Sequence, residues 1–348
     1  MSILGIDHIE FYVEDPAAAA ARLCREYGFA DAGPHDLGDQ PGGRSVLLRQ
    51  GAIALLLTGA GTPGHPAAGY VARHGDGVAS IGFRTDSVDQ AFGRAVAAGA
   101  RPIAAPARAG RDGCQAVVSG FGDVTHRLVE RGGCAAGPPP ATRPTSMFEA
   151  LDHVAVCLPA GQIDATVRLY ADAFGLAHVF DERIEVNGQA MISKVVRDES
   201  GTATFTLIEP DPDRDPGQVD DFLDRHGGAG VQHLALRTGD IARAVRTLTA
   251  RGVEFLTAPA GYYRALQPRL GALTIPVDVL RQVNVLADRD KWGELFQIFA
   301  RSAHARGTFF MELIERRGAL TFGSGNIRAL YEALGQEQGS RASAASRD

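Results

Sequence analysis

The chain has 348 residues, 45% of them hydrophobic and 22% charged, with a formal net charge of −6. That length accommodates two domains of ordinary size, each with its own core. No run of about 18 apolar residues is available to span a bilayer, and no basic stripe invites nucleic acid or an anionic membrane, so small-molecule chemistry is expected by elimination.

The opening MSILGIDHIEFYVEDP alternates like a strand, with neither the basic start nor the long apolar stretch of an export signal. A helix follows: Asp15 can cap it, Pro16 suits its first position and Gly28 marks its end. The same pattern returns from Leu151 as LDHVAVCLPAGQIDATVRLYADAFGLAHVF. Further on, the strand-helix segment Arg73 to Ala100 (RHGDGVASIGFRTD…) matches Arg225 to Val253 (RHGGAGVQHLALRTG…), and HRLVERGG from His126 matches MELIERRG from Met311. Three matches in one order identify an internal duplication.

Between the copies, GGCAAGPPPATRPTS (Gly132 to Ser146) has the composition of an exposed connector. The expected organisation is a first domain over 1–131, a linker over 132–147, a second domain over 148–338 and a disordered tail over 339–348. Each half reads as paired strand-helix-strand-strand-strand modules, with FTLIEP and LFQIF among the later strands, which makes the chain α+β. Cys24, Cys114, Cys134 and Cys157 are widely spaced with no C-x-x-C pair, so reduced thiols in a cytoplasm are expected.

The duplication acts as an internal control on which polar residues carry chemistry. At three aligned positions the first half has His8, Ser80 and Arg127, whereas the second has His153, His233 and Glu312. Only the second set can hold a metal. Two imidazoles and one carboxylate on one face of an octahedron leave three open positions on iron(II), though manganese or cobalt could use the same ligands. A carboxylate facing two histidines inside a sheet is costly to bury without a cation. His8 is expected to be an ordinary core or surface histidine, and His178, His226 and His304 are expected on the surface.

The segments LDHVAVCL, GAGVQHLAL, GVEFLTAPAGYY, NVLADRD, LFQIF, FFMELIERRG and FGSGNIRALYEA, in that order, resemble the iron-dependent, 4-hydroxyphenylpyruvate-using members of the vicinal oxygen chelate superfamily. The resemblance covers nearly the whole chain and is strongest from Leu151 to about Gln336. It implies paired βαβββ modules forming open barrels, Fe(II) as cofactor, 4-hydroxyphenylpyruvate and O2 as substrates, and a homo-oligomer, either dimer or tetramer. Two activities are implied as alternatives: dioxygenases move the side chain on the ring to give homogentisate, and synthases hydroxylate the benzylic carbon to give 4-hydroxymandelate, a precursor for peptide antibiotics. Geometry decides between them, because whichever carbon is held nearest the reacting oxygen is attacked.

In this resemblance Thr206 and Ile208 stand where dioxygenases read proline-x-asparagine, and Ile327 and Tyr331 stand where they carry phenylalanines; both replacements resemble the synthases. Ser193 matches a serine of both groups, while its neighbours Ile192 and Lys194 resemble dioxygenases. Gln218 and Gln297 match amides used by both. Phe322 and Asn326 open the last helix, which in the family closes over the site as a lid and excludes water. GYYRALQPRL lacks the family's usual acidic residue after the two tyrosines. A ligand-sequestering module, a glyoxalase and an extradiol ring-cleaving enzyme share the superfamily's scaffold, but sequestering needs no such ligand set, and the lid fits the α-keto acid group better.

Overall fold

The computed structural model describes residues 3–33, 42–109, 113–131, 146–323 and 325–328. The first half runs β1 (Ile6–Tyr12), α1 (Pro16–Tyr27), β2 (Ala30–Asp31), β3 (Gly43–Gln50), β4 (Ile53–Ala60), α2 (Pro66–His74), β5 (Gly77–Arg84), α3 (Val88–Ala97), β6 (Pro102–Ala109), β7 (Gly113–Ser119) and β8 (Thr125–Glu130). The second begins with β9 (Ala150–Cys157) and α4 (Ile163–Leu169), which runs into a π-helical turn (Tyr170–Phe174). It continues through β10 (Ala177–Val186), β11 (Gln189–Arg197), β12 (Thr204–Pro210), α5 (Gln218–His226), β13 (Gly230–Arg237) and α6 (Ile241–Ala250). Then come α7 (Ala260–Leu270), α8 (Val277–Gln282), β14 (Leu286–Arg289), β15 (Glu294–Phe299) and β16 (Phe310–Arg317).

Each half forms one eight-stranded mixed sheet, ordered β2-β3-β4-β1-β5-β8-β7-β6 in the first and β10-β11-β12-β9-β13-β16-β15-β14 in the second. Both sheets are two βαβββ modules joined along a central antiparallel pair, β1 with β5 and β9 with β13. The α+β architecture and the duplication are therefore both present in the fold. Local chemistry starts the elements as expected: Asp15 accepts from the backbone N–H groups of Ala17 and Ala18 at 3.0 and 3.1 Å, and Gly28 ends α1 at φ 76°, where a side chain would be strained.

One continuous apolar core crosses from one half to the other. Phe83, Phe121 and His126 of the first half pack against Tyr170, Phe174 and Phe205 of the second, with ring centroids 4.8–6.2 Å apart along the chain of contacts. The Tyr170 hydroxyl lies 2.9 Å from His126 Nε2, so a hydrogen bond joins the halves inside that cluster.

Of the histidines expected on the surface, His178 is exposed and His304 half-buried, but His226 is buried. Its ring stacks on His74 of the first half at 4.5 Å and on Phe222 at 5.1 Å. The reason is helical spacing, because Val219, Phe222 and His226 fall on one stripe of α5 and the stripe faces inward.

Candidate metal centre

The register of three adjacent strands assembles the centre. Ala235 of β13 is paired with His153 of β9 on one side and with Glu312 of β16 on the other, so the three form a row across the sheet. His233 lies two residues back along β13, on the same face as Ala235. The methyl side chain of Ala235 leaves room between the two ligands. His153 Nε2 and His233 Nε2 are 3.3 Å apart, and Glu312 Oε2 lies 3.3 and 3.2 Å from them. All three residues are buried, and among the described residues they form the group of side chains able to hold a metal ion.

The far atoms of these side chains fix which lone pairs face inward. His153 Nδ1 donates to Asp152 Oδ1 at 2.9 Å, and Asp152 is gripped by Arg316 through contacts of 2.7 and 2.9 Å. His233 Nδ1 donates to Gln232 Oε1 at 3.2 Å. Both Nε2 atoms therefore present lone pairs to each other and to a carboxylate oxygen. Three acceptors converge with no donor between them, and a divalent cation answers that arrangement.

The titration tendencies agree. Burial alone would lower the His153 pKa, but the Glu312 and Asp152 carboxylates override it and raise it to about 9. Glu312 is held down at about 2 by the imidazoles against the opposite pull of burial. His233 is lowered, chiefly by burial. Without a metal the cluster demands a proton; a bound cation takes the proton's place.

The aromatic surroundings hold the rings. Phe310 stacks on His233 at 4.9 Å, and Phe322 meets His153 edge-on at 5.1 Å while carrying the Arg316 guanidinium 4.9 Å above its centroid. A cavity of about 540 Å³, its open mouth included, lies over the centre. Its walls include the expected Ser193, Thr206, Ile208, Gln218, Gln297 and Phe322, together with the three candidate ligands. Asn326 is fully buried and touches the site through Gln297, its Nδ2 donating to Gln297 Oε1 at 3.1 Å. Tyr331 lies outside the described residues. Lys194 pairs instead with Asp164 at 2.6 Å and Ile192 packs on the main core, so these two neighbours of Ser193 do not face the substrate space.

Sequence reasoning did not single out Met191, Val219, Gln232 and Phe299, which also line the cavity, or Asp152 and Arg316 behind it. A signal for the last two was present. The first half repeats them as Asp7 and Arg131, with His8 Nδ1 2.9 Å from Asp7 and Arg131 gripping Asp7 at 2.9 and 2.8 Å. There the row reads His8, Gly82, Arg127. The Arg127 guanidinium is paired with Glu10 at 3.2 Å, so a covalently attached cation stands in the half that lacks the ligands.

A duplicated βαβββ chain with two histidines and a glutamate converging in one of its cups defines a member of the vicinal oxygen chelate class with a candidate metal site. Models of the glyoxalase/bleomycin resistance protein/dioxygenase superfamily match residues 7–118 and 150–267. The 4-hydroxyphenylpyruvate dioxygenase of Xenopus tropicalis is 31% identical over 97% of this chain and 92% of its own length. That of Yarrowia lipolytica is 30% identical over 98% and 93%. A solved triple mutant of 4-hydroxymandelate synthase from Streptomyces coelicolor superimposes with a TM-score of 0.85 at 44% identity, covering 97% of this chain and 100% of that one. The chain belongs to this superfamily and, within it, to the dioxygenase family that joins the 4-hydroxyphenylpyruvate dioxygenases and 4-hydroxymandelate synthase.

Proposed function

We propose that the protein is an Fe(II)-dependent 4-hydroxymandelate synthase, converting 4-hydroxyphenylpyruvate and O2 to 4-hydroxymandelate and CO2. The observation that carries this reading is the pair Thr206 and Ile208, which line the cavity over the centre of a chain 44% identical to a 4-hydroxymandelate synthase. The ligand set fits iron(II), which would supply open positions for a chelating α-keto acid and for oxygen.

The remaining side chains bind and orient. Asp152 and Gln232 fix the imidazole tautomers, and Gln297 Nε2 donates to Glu312 Oε1 at 3.1 Å, leaving Oε2 turned toward the histidines. Phe322 and Phe310 cover the imidazoles and keep water away. Farther along the cavity, Thr206 Oγ1 is buried without a hydrogen-bond partner among the described residues and is available to a polar substrate group. Ile208, on the same face of β12, offers a branched apolar surface and no donor, so the ring is steered by shape there. Tyr331 and a homo-oligomeric state are part of this reading through the resemblance alone, and a cytoplasmic location through the widely spaced cysteines.

Product analysis tests the proposal: purified protein with Fe(II), O2 and 4-hydroxyphenylpyruvate is expected to yield 4-hydroxymandelate on chromatography. Homogentisate without hydroxymandelate would overturn it and establish the dioxygenase reading, which the relatives at 30 and 31% identity favour. An anaerobic mixture with Fe(II) and the α-keto acid is expected to show a weak visible charge-transfer band, which a metal-free sequestering protein would lack.

A further inference from the structure

The residues after β16 meet the rest of the protein at a continuous line of hydrogen bonds that ends on Glu312. Tyr262 of α7 is tied to β14, accepting from Ala287 N at 2.8 Å and donating to Ala287 O at 2.9 Å. Its hydroxyl also donates to Asn326 Oδ1 at 2.6 Å. Asn326 Nδ2 donates to Gln297 Oε1 at 3.1 Å, and Gln297 Nε2 donates to Glu312 Oε1 at 3.1 Å. Every link runs the same way. The Glu312 carboxylate only accepts, so Gln297 turns its N–H toward it and its carbonyl toward the Asn326 N–H. That leaves the Asn326 carbonyl facing the Tyr262 hydroxyl, whose proton it shares with Ala287 O. Burial raises the Tyr262 pKa to about 12, so the donor keeps its proton across the working range.

Two further details show that the segment is shaped for this seat. Gly323 has φ 71°, and a Cβ there would come within 2.6 Å of Gln297 Oε1, so only glycine lets the chain approach the amide so closely. Gly325 N is held by Asp288 Oδ2 at 3.1 Å, a second anchor on β14 beside Ala287.

We propose that Tyr262 is a positioning residue that couples seating of the C-terminal segment to the metal ligand Glu312 through Asn326 and Gln297. With the segment seated, the amide polarity binds Oε1 and leaves Oε2 for the cation. With the segment lifted, Gln297 loses the donor to its carbonyl, one of the two contacts that hold its amide against Oε1. By linkage, whatever fills the metal site also favours the seated segment. The inference rests on the metal-centre reading but not on which product is formed.

The test uses Co(II) and the full chain without substrate. Cobalt affinity by chelator competition is read beside hydrogen exchange of the amides in 321–328. If wild type binds no cobalt, the metal-centre reading itself fails, before the coupling is at issue. For Tyr262→Phe we expect affinity to fall about tenfold, as for other outer contacts to a metal site, and exchange in that segment to quicken. In an Asn326→Leu background, Tyr262→Phe is expected to have no further effect on affinity. A change in only one of the two readouts, no change in either, or a full additional loss in the Asn326→Leu background would overturn the coupling. Asn326→Asp gives an independent check. It keeps the acceptor for Tyr262 but removes the donor to Gln297, so affinity should fall while α7 stays docked; an affinity equal to wild type would also refute the proposal.

Discussion

Asp152→Asn removes the charge that both His153 and Arg316 address, while nearly preserving the volume. In wild type the carboxylate accepts from His153 Nδ1 and from two guanidinium nitrogens, and these bonds hold its pKa well below the usual carboxylate range despite burial. An asparagine has one oxygen for two claimants, and its NH2 must face either an imidazole N–H or a guanidinium. Metal affinity should fall about 10- to 100-fold, as for other groups that orient a ligating histidine, which corresponds to about 1.4–2.7 kcal/mol. Arg316 also loses its counter-charge, but it retains the carbonyls of Ala319 and Thr321 at 3.2 and 2.7 Å. The stability loss should therefore lie at or below the low end of the range for a broken buried pair, about 2–3 kcal/mol. Chelator competition measures the first quantity and urea unfolding the second. The matched control is Asp7→Asn, which breaks the same three-residue arrangement in the half without ligands. It should lower stability by a similar amount and leave metal affinity unchanged. Equal metal loss in both variants, or affinity in Asp152→Asn within twofold of wild type, would refute the orienting role.

Three other outcomes are expected. His233→Ala should abolish retention of Fe(II) or Co(II) through gel filtration, since it removes one ligand and leaves Glu312 and His153 to bind each other; metal content by atomic absorption decides this. Ile208→Asn should divert part of the product from hydroxymandelate to ring-oxidised compounds on chromatography, whereas an unchanged ratio would count against steering by that side chain. His126 is fully buried, and burial pulls its pKa down to about 3. Below about pH 6.5 the unfolded chain takes up a proton that the folded one refuses, so stability should fall as pH drops toward 3. The slope from this group is about 1.4 kcal/mol per pH unit, and urea titrations of His126→Phe should show it reduced by that amount.

The sequence carried the ligand set because the chain holds its own control. Polar residues repeated in both halves proved to be scaffold: Asp7 and Asp152 brace histidines, and Glu130 and Glu315 each accept from the first backbone N–H of a module helix, at Val88 and Ile241. Polar residues that differ between halves, Ser80 against His233 and Arg127 against Glu312, mark where the chemistry diverged. Ser193, Thr206 and Ile208 were legible only through the family resemblance; the two-residue period of β11 and β12 is what puts them on one wall. What escaped was pairing between distant segments. The burial of His226 depends on His74, 152 positions away, and the seat of Asn326 depends on Tyr262, 64 positions away. No local pattern announces such partners, and a histidine or tyrosine on a helix reads alike whether its neighbour is protein or water.

The aromatic cluster around Tyr170 has a bearing on how the protein can be cut. Phe174 and Phe205 need Phe83 to cover them, and Tyr170 needs the His126 nitrogen for its hydroxyl. A fragment starting near Phe148 would present that greasy wall to water with a phenol stranded in it, and should collect in inclusion bodies. The copy without the ligand set thus serves as a buttress, and any recombination that exchanges one copy must carry over its partner's matching face.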